Sequence, residues 1–254
     1  MNFKTFRITL LLLVLAYVGF DTLLSNARAP NWKRPLRVVI YPINADGSDQ
    51  ADKYISQLKP SQFDSINTTL VKEASRYSLD ISNPVWITLA PKLNSLPPKI
   101  PFNRSGLSVV WWSIKFRYWA WKEDNYSGIK PQIRSYALFY DPEQHNVLKH
   151  STGLKKAKLA INHLFADTKY SAQNNVVMLH ELLHTLGATD KYDLQSGLPH
   201  YPDGYAEPGR KPLFPQRKAE IMGGLIALSK SKAKIPSSLK KVIVGSKTAK
   251  EIGW

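Results

Sequence analysis

Apolar residues along the chain fall into runs and stripes that predict its elements. From Leu36 to Ile43 (LRVVIYPI) a nearly continuous, β-branched run reads as a buried strand, closed by turn-forming residues from Asn44 to Ser48. Phe63, Ile66, Leu70, Val71 and Ala74 then recur at helical spacing and predict a helix from Ser61 to Tyr77. Val85 to Leu89 (VWITL) reads as a second strand, so the folded part opens as β-α-β. A Pro-rich loop from Leu93 to Pro101 leads into a predicted helix, Leu107 to Trp121, with Val109, Trp112, Phe116 and Trp119 on one stripe. That spacing assigns the stripe to the core. Trp111 and Trp121 fall off it and are open to use as a platform for substrate or lipid. Further strands are expected at Arg134 to Tyr140 and Lys158 to Phe165, and no internal repeat is visible.

The segment NVVMLHELLHTLGATDKYD (Asn175 to Asp193) carries the chemistry. Val177, Leu179, Leu182, Leu183 and Leu186 form the apolar face of a helix, leaving His180, Glu181 and His184 on a polar edge. Residues four apart on a helix stand over one another, so both imidazoles can reach one metal ion, with Glu181 beside its open position to take a proton from water. Gly187 lets the backbone leave the helix in a left-handed turn, and Asp190 can then return as a third ligand, giving HExxHxxGxxD. Two imidazoles and a carboxylate leave a fourth corner for solvent, as a catalytic zinc needs. The plainer alternatives are a hydrogen-bonded core His pair and an Asp190 engaged in an Asx-type turn.

Composition narrows these choices. The 254 residues include no cysteine, which excludes disulfides, Cys-ligated zinc and thiol nucleophiles, so any metal is held by His and carboxylates. Lys and Arg number 35 against 19 Asp and Glu, a net charge of +16 that attracts anionic partners of several kinds. Seven lysines between Ser229 and Lys250, with no acid before Glu251, read as a solvated face or as a contact for an anionic surface. At the other end, Lys4 and Arg7 precede an apolar run from Ile8 to Phe20, continued after Asp21 by Thr22, Leu23 and Leu24. This is the pattern of an export signal, with the body of the protein outside the cytoplasm, facing the periplasm or exterior. Ala27-Arg28-Ala29 suits cleavage and secretion, but Pro30 fits a processing site poorly, so residues 1–29 are read as an uncleaved signal-anchor in the membrane. Nucleic acid is not expected as a partner, because that reading rests on charge alone and conflicts with export.

Taken together, the motif residues resemble the metzincin metallopeptidases, whose extended motif HExxHxxGxxH is followed downstream by a methionine turn. Ala219 to Gly224 (AEIMGG) is similar to that turn, and Met222 lies 32 residues past Asp190. With Asp in place of the third His, and Tyr192 two residues later, the pattern is closer to the snapalysin-like branch. The resemblance covers roughly Val177 to Gly224 and implies an α+β fold for residues 30–254. Its parts would be a twisted mixed sheet with helices, an active-site helix beneath it, and a small irregular C-terminal lobe, divided at about residue 187. It implies Zn2+ held by His180, His184 and Asp190, with Glu181 as general base and Met222 as an apolar floor beneath the ligands. It also implies a peptide or protein substrate paired along Lys158 to Phe165 as the sheet edge. Tyr192, Tyr201 or Tyr205 would donate to the developing oxyanion, Tyr192 foremost, and the loop Gly197 to Pro208 would wall the cleft. Two rivals remain at this point. One is a thermolysin-like zinc hydrolase with Glu207 or Glu220 as third ligand, and the other a non-enzymatic, exported, membrane-tethered binding protein.

Overall fold

The computed structural model describes residues 32–101 and 106–254, with five scattered positions nearer the start. Three parallel strands form its centre: β1 (Leu36–Asn44), β3 (Ile133–Tyr140) and β5 (Leu159–Phe165). All three are buried on both faces, which is why they read as continuous apolar runs and not as alternating ones. β2 (Val85–Leu89) adds a parallel edge beside β1, and β4 (Thr152–Leu154) adds an antiparallel edge beside β5, giving the order β2-β1-β3-β5-β4. This five-stranded, mostly parallel sheet with helices on both faces agrees with the expected α+β class.

One face of the sheet is covered by α1 (Asp49–Ser56), α2 (Asp64–Ser75) and α4 (Ser171–Leu186). Ile66 and Leu70 of α2 and Met178, Leu179, Leu182 and Leu183 of α4 pack there against Val38, Ile40 and Ala137. On the other face α3 (Gly106–Lys122) lays Trp112, Phe116 and Ala120 against Tyr41, Tyr136 and Leu138. The buried stripe of α3 is shifted from the expected one. Ala120 joins it, and Val109 is exposed, along with Leu107, Val110, Trp111, Ile114, Tyr118 and Trp121 on the outer surface.

Several expectations are corrected. α1 was not foreseen; Ser48 caps it by accepting from the Ala51 amide, and Ala51, Tyr54 and Ile55 bury one side. The strand at Lys158 to Phe165 is not the sheet edge, because β4 pairs with its first half from Leu159 to Ile161. The lysine-rich stretch from Ser229 does present a solvated face: its seven lysines stay at the surface, while Leu239, Val242, Val244 and Ala249 join the core beneath α4.

The expectation of a membrane anchor, and of a membrane partner reached through it, is withdrawn. The run from Ile8 to Leu24 lies almost wholly outside the described residues, and among those described no helix is long and apolar enough to cross a membrane. The 17 residues of α3 span only about 26 Å and include Lys115, Arg117 and Lys122, against a hydrocarbon core of about 30 Å.

Residues 188–254 hold short elements: β6 (Ala219–Glu220) pairs with β9 (Val242–Ile243), β7 (Ile226–Ala227) with β8 (Ala233–Lys234), and α5 (Ser246–Glu251) closes the chain. Ile221, Met222, Val244 and Ile252 from this region share one apolar core with α4.

Candidate metal centre

α4 is held rigidly before it presents any chemistry. Its Asn174 side chain donates to the Phe165 carbonyl and accepts from the Phe165 amide, which ties the helix to the end of β5. Asn175 donates to the Gln62 carbonyl and to Ser65, tying it to the start of α2. The helix stops at Gly187, whose φ of 116° lies in the left-handed region that side chains avoid. The chain then doubles back under the last turn, and the Ala188 carbonyl lies 2.8 Å from His184 Nδ1.

This reversal brings Asp190 to the two imidazoles. His180 Nε2 lies 3.1 Å from His184 Nε2, and Asp190 Oδ1 lies 3.2 Å from the first and 3.1 Å from the second. His180 Nδ1 faces the Ile221 carbonyl at 2.9 Å, and since carbonyls only accept, both Nδ1 atoms carry the proton. In the neutral form that a metal ligand must take, each Nε2 would turn its lone pair inward, towards the other ring and a carboxylate oxygen. A tetrahedral ion with bonds of about 2.0–2.2 Å holds its ligand atoms about 3.3–3.5 Å apart. The observed triangle is a slightly contracted face of that tetrahedron, so the donor set fits a divalent cation.

Electrostatics agree with a site built for positive charge. Burial disfavours the His180 imidazolium, but the Asp190 and Glu181 carboxylates outweigh it and raise the group to about 9. Burial works against the Asp190 carboxylate too, yet the two imidazoles hold it well below the usual range. Glu181 is 2% exposed, and burial pushes its carboxyl up despite the imidazoles nearby. Its Oε2 is buried without a hydrogen-bond partner, an expensive arrangement. His180, Glu181 and His184 form a cluster that could bind a metal ion, their ligating atoms lying within 4.8 Å of one another. Within it the two imidazoles touch Asp190 and each other, leaving the Glu181 carboxylate beside the donor triangle.

The other residues singled out by sequence divide clearly. Met222 is fully buried in the turn Ile221–Gly223, directly after the carbonyl that orients His180. Tyr192 lines the cleft, its ring 6.3 Å from that of His180 and its hydroxyl 3.0 Å from His150 Nε2. Tyr201 and Tyr205 meet edge-on outside the cleft. Neither rival third ligand reaches the centre. Glu207 is bound by Arg217 and Arg210 and held down to about 2 by them, although burial works weakly against the carboxylate. Glu220 accepts from the Met222, Gly223 and Gly245 amides and the Thr248 hydroxyl, so both of its oxygens are occupied.

The cleft beside the centre has a volume of about 470 Å³. Leu148, Phe165, Val177, Leu225 and Ile235 give it a largely apolar lining, with His150, His163 and Glu181 as polar groups. The loop from Gly197 to Pro208 contributes only Gly197 to that wall, which is built instead by the segments before β4 and after Met222. His150 escaped sequence reasoning, because its link to Tyr192 spans 42 residues and no local pattern marks it. No protein-family model matches the chain, and no curated protein matches it either.

Proposed function

We propose that the chain is a zinc-dependent peptidase of metzincin type, nearest the HExxHxxGxxD branch, with His180, His184 and Asp190 as ligands. The reading rests on one observation: three potential ligand atoms, two imidazole nitrogens and a carboxylate oxygen, converge within 3.2 Å of one another beside a buried, unpartnered Glu181 oxygen. Two Nδ1 protons fixed on backbone carbonyls and a cysteine-free chain support zinc held by nitrogen and oxygen. A zinc ion bound there would bring the pKa of a water near neutrality and polarise a carbonyl. Glu181 is placed to act as general base there, and with zinc present would accept a proton from water at Oε2 and pass it to the amine as the C–N bond breaks. The apolar cleft excludes bulk water and strengthens both interactions. Tyr192 is the donor to the carbonyl oxygen as charge develops there, its hydroxyl turning from His150 Nε2, which it faces at 3.0 Å. β4, the terminal strand of the sheet, is the edge along which an extended peptide pairs.

The test is digestion of a broad peptide library by the zinc-loaded chain, with Glu181→Gln as control. Cleavage that requires zinc and disappears in the variant supports the reading. Full cleavage by Glu181→Gln refutes the assignment of the base.

A further inference from the structure

Asp190 is the one proposed ligand outside α4, so its position depends on whatever grips the loop after Gly187. That grip comes from the far end of the chain. Glu251, in the last turn of α5, accepts from the Thr189 amide at 2.9 Å and the Thr189 hydroxyl at 2.8 Å. The same carboxylate binds Lys191 Nζ at 2.8 Å, and the Lys191 side chain is 3% exposed. Lys191 Nζ also donates to the Thr189 carbonyl, and the Lys191 amide donates to the Met222 carbonyl. The two residues flanking Asp190 are therefore fastened to one carboxylate, and the second of them also to the methionine turn.

α5 is itself fixed. Its Thr248 hydroxyl and the preceding Gly245 amide donate to Glu220, which also binds the Met222 and Gly223 amides. Trp32 donates from its indole to the Ile252 carbonyl at 2.8 Å and packs edge-on against Trp254. A continuous path of hydrogen bonds thus runs from the turn beneath His180, through Glu220 and α5, to the loop that carries Asp190.

We propose that Glu251 is a positioning residue for the metal centre, a C-terminal clip that holds the Thr189–Lys191 segment so that Asp190 Oδ1 meets the two imidazoles. The inference rests on the proposed ligand set and adds a part outside the motif. The Glu251 carboxylate never touches the ion and acts only through the loop. Groups that hold ligating side chains in this way typically tune metal affinity by about 10–100-fold.

The experiment measures the zinc dissociation constant of the full chain by competition with a chromogenic chelator, and the visible absorption of the cobalt-substituted protein. Glu251→Gln keeps the side-chain shape, but it removes the charge facing Lys191 and leaves one accepting oxygen where the carboxylate uses two, one for the Thr189 amide and Lys191 and one for the Thr189 hydroxyl. The dissociation constant should rise about 10–100-fold, the cobalt bands should weaken and shift as Asp190 loosens, and Glu251→Asp should recover part of both. If Glu251→Gln fails to fold because Lys191 is left buried and unpaired, the double variant Glu251→Gln with Lys191→Met removes that charge and is expected to show the same loss. Asp124→Asn, which breaks contacts with Tyr41 and Arg134 on the far face of the sheet, is the control and should leave zinc affinity unchanged. Affinity within about twofold of the parent in the folded Glu251 variants, or an equal loss in Asp124→Asn, overturns the proposal. A parent chain that binds no zinc overturns the ligand set and the clip together.

Discussion

Gly153 is the point at which the sheet edge touches the motif helix. A Cβ there would lie 2.5 Å from the Glu181 carbonyl oxygen and 2.6 Å from His184 Cβ. Ordinary contacts between carbon atoms are about 3.5–4.0 Å, so β4 or α4 would have to move by roughly 1 Å. Both obstacles belong to a rigid helix, and neither is the free end of a side chain. Overpacking of this kind costs about 1–3 kcal/mol, against which alanine recovers about 0.5–1 kcal/mol of the backbone entropy that glycine loses. Gly153→Ala should therefore destabilise the chain by about 1–2 kcal/mol, and Gly153→Val by more. For a chain of this size that is a fall in Tm of about 2–8 °C, measurable by calorimetry or by circular dichroism at 222 nm. Because the clash is with the residues that carry Glu181 and His184, zinc affinity should fall as well. An unchanged or higher Tm in Gly153→Ala would refute the packing argument.

Other expectations follow from single groups. Glu220→Ala leaves three backbone amides and the Thr248 hydroxyl without an acceptor in a buried place and should cost at least about 3 kcal/mol, read as a lower denaturation midpoint. A midpoint close to the parent's would contradict that count of donors. Burial, with Lys149 and His150 nearby, pushes His163 down to about 4 from an ordinary 6.5. Below pH 6.5 the unfolded chain gains a proton that the folded chain refuses until about pH 4, so stability is full above that window and falls through it. The slope from this one group is at most about 1.4 kcal/mol per pH unit, and partial exposure reduces it. His163→Gln should flatten the parent's decline between those pH values, and parallel curves for the two proteins would count against the assignment.

Sequence patterns reached the elements whose burial repeats with a period. β1, β3 and β5 are buried on both faces and leave uninterrupted apolar runs, and α4 shows a helical stripe beside its polar edge. α1 places only Ala51, Tyr54 and Ile55 inside, and β4 is three half-buried residues, so neither leaves a period to read. Ser48, followed by Asp49 and Asp52, was a capping signal that could have revealed α1. The aromatic residues of α3 divide as their spacing indicated, Trp112 and Phe116 inward and Trp111 and Trp121 outward, and Val109 is the residue that left the expected stripe. Within the centre, His180, Glu181 and His184 share one helix turn, and Gly187 marked the reversal that returns Asp190. His150 and Glu251 were invisible because they meet Tyr192 and Thr189 across 42 and 62 residues, contacts fixed by tertiary packing alone.

The most direct test of the account is an anomalous-difference map at the zinc absorption edge from crystals of the full chain grown with zinc. The account predicts one strong peak about 2.0–2.2 Å from His180 Nε2, His184 Nε2 and an Asp190 carboxylate oxygen. A peak centred on Glu207 or Glu220, or no peak among those three atoms at saturating zinc, would contradict it.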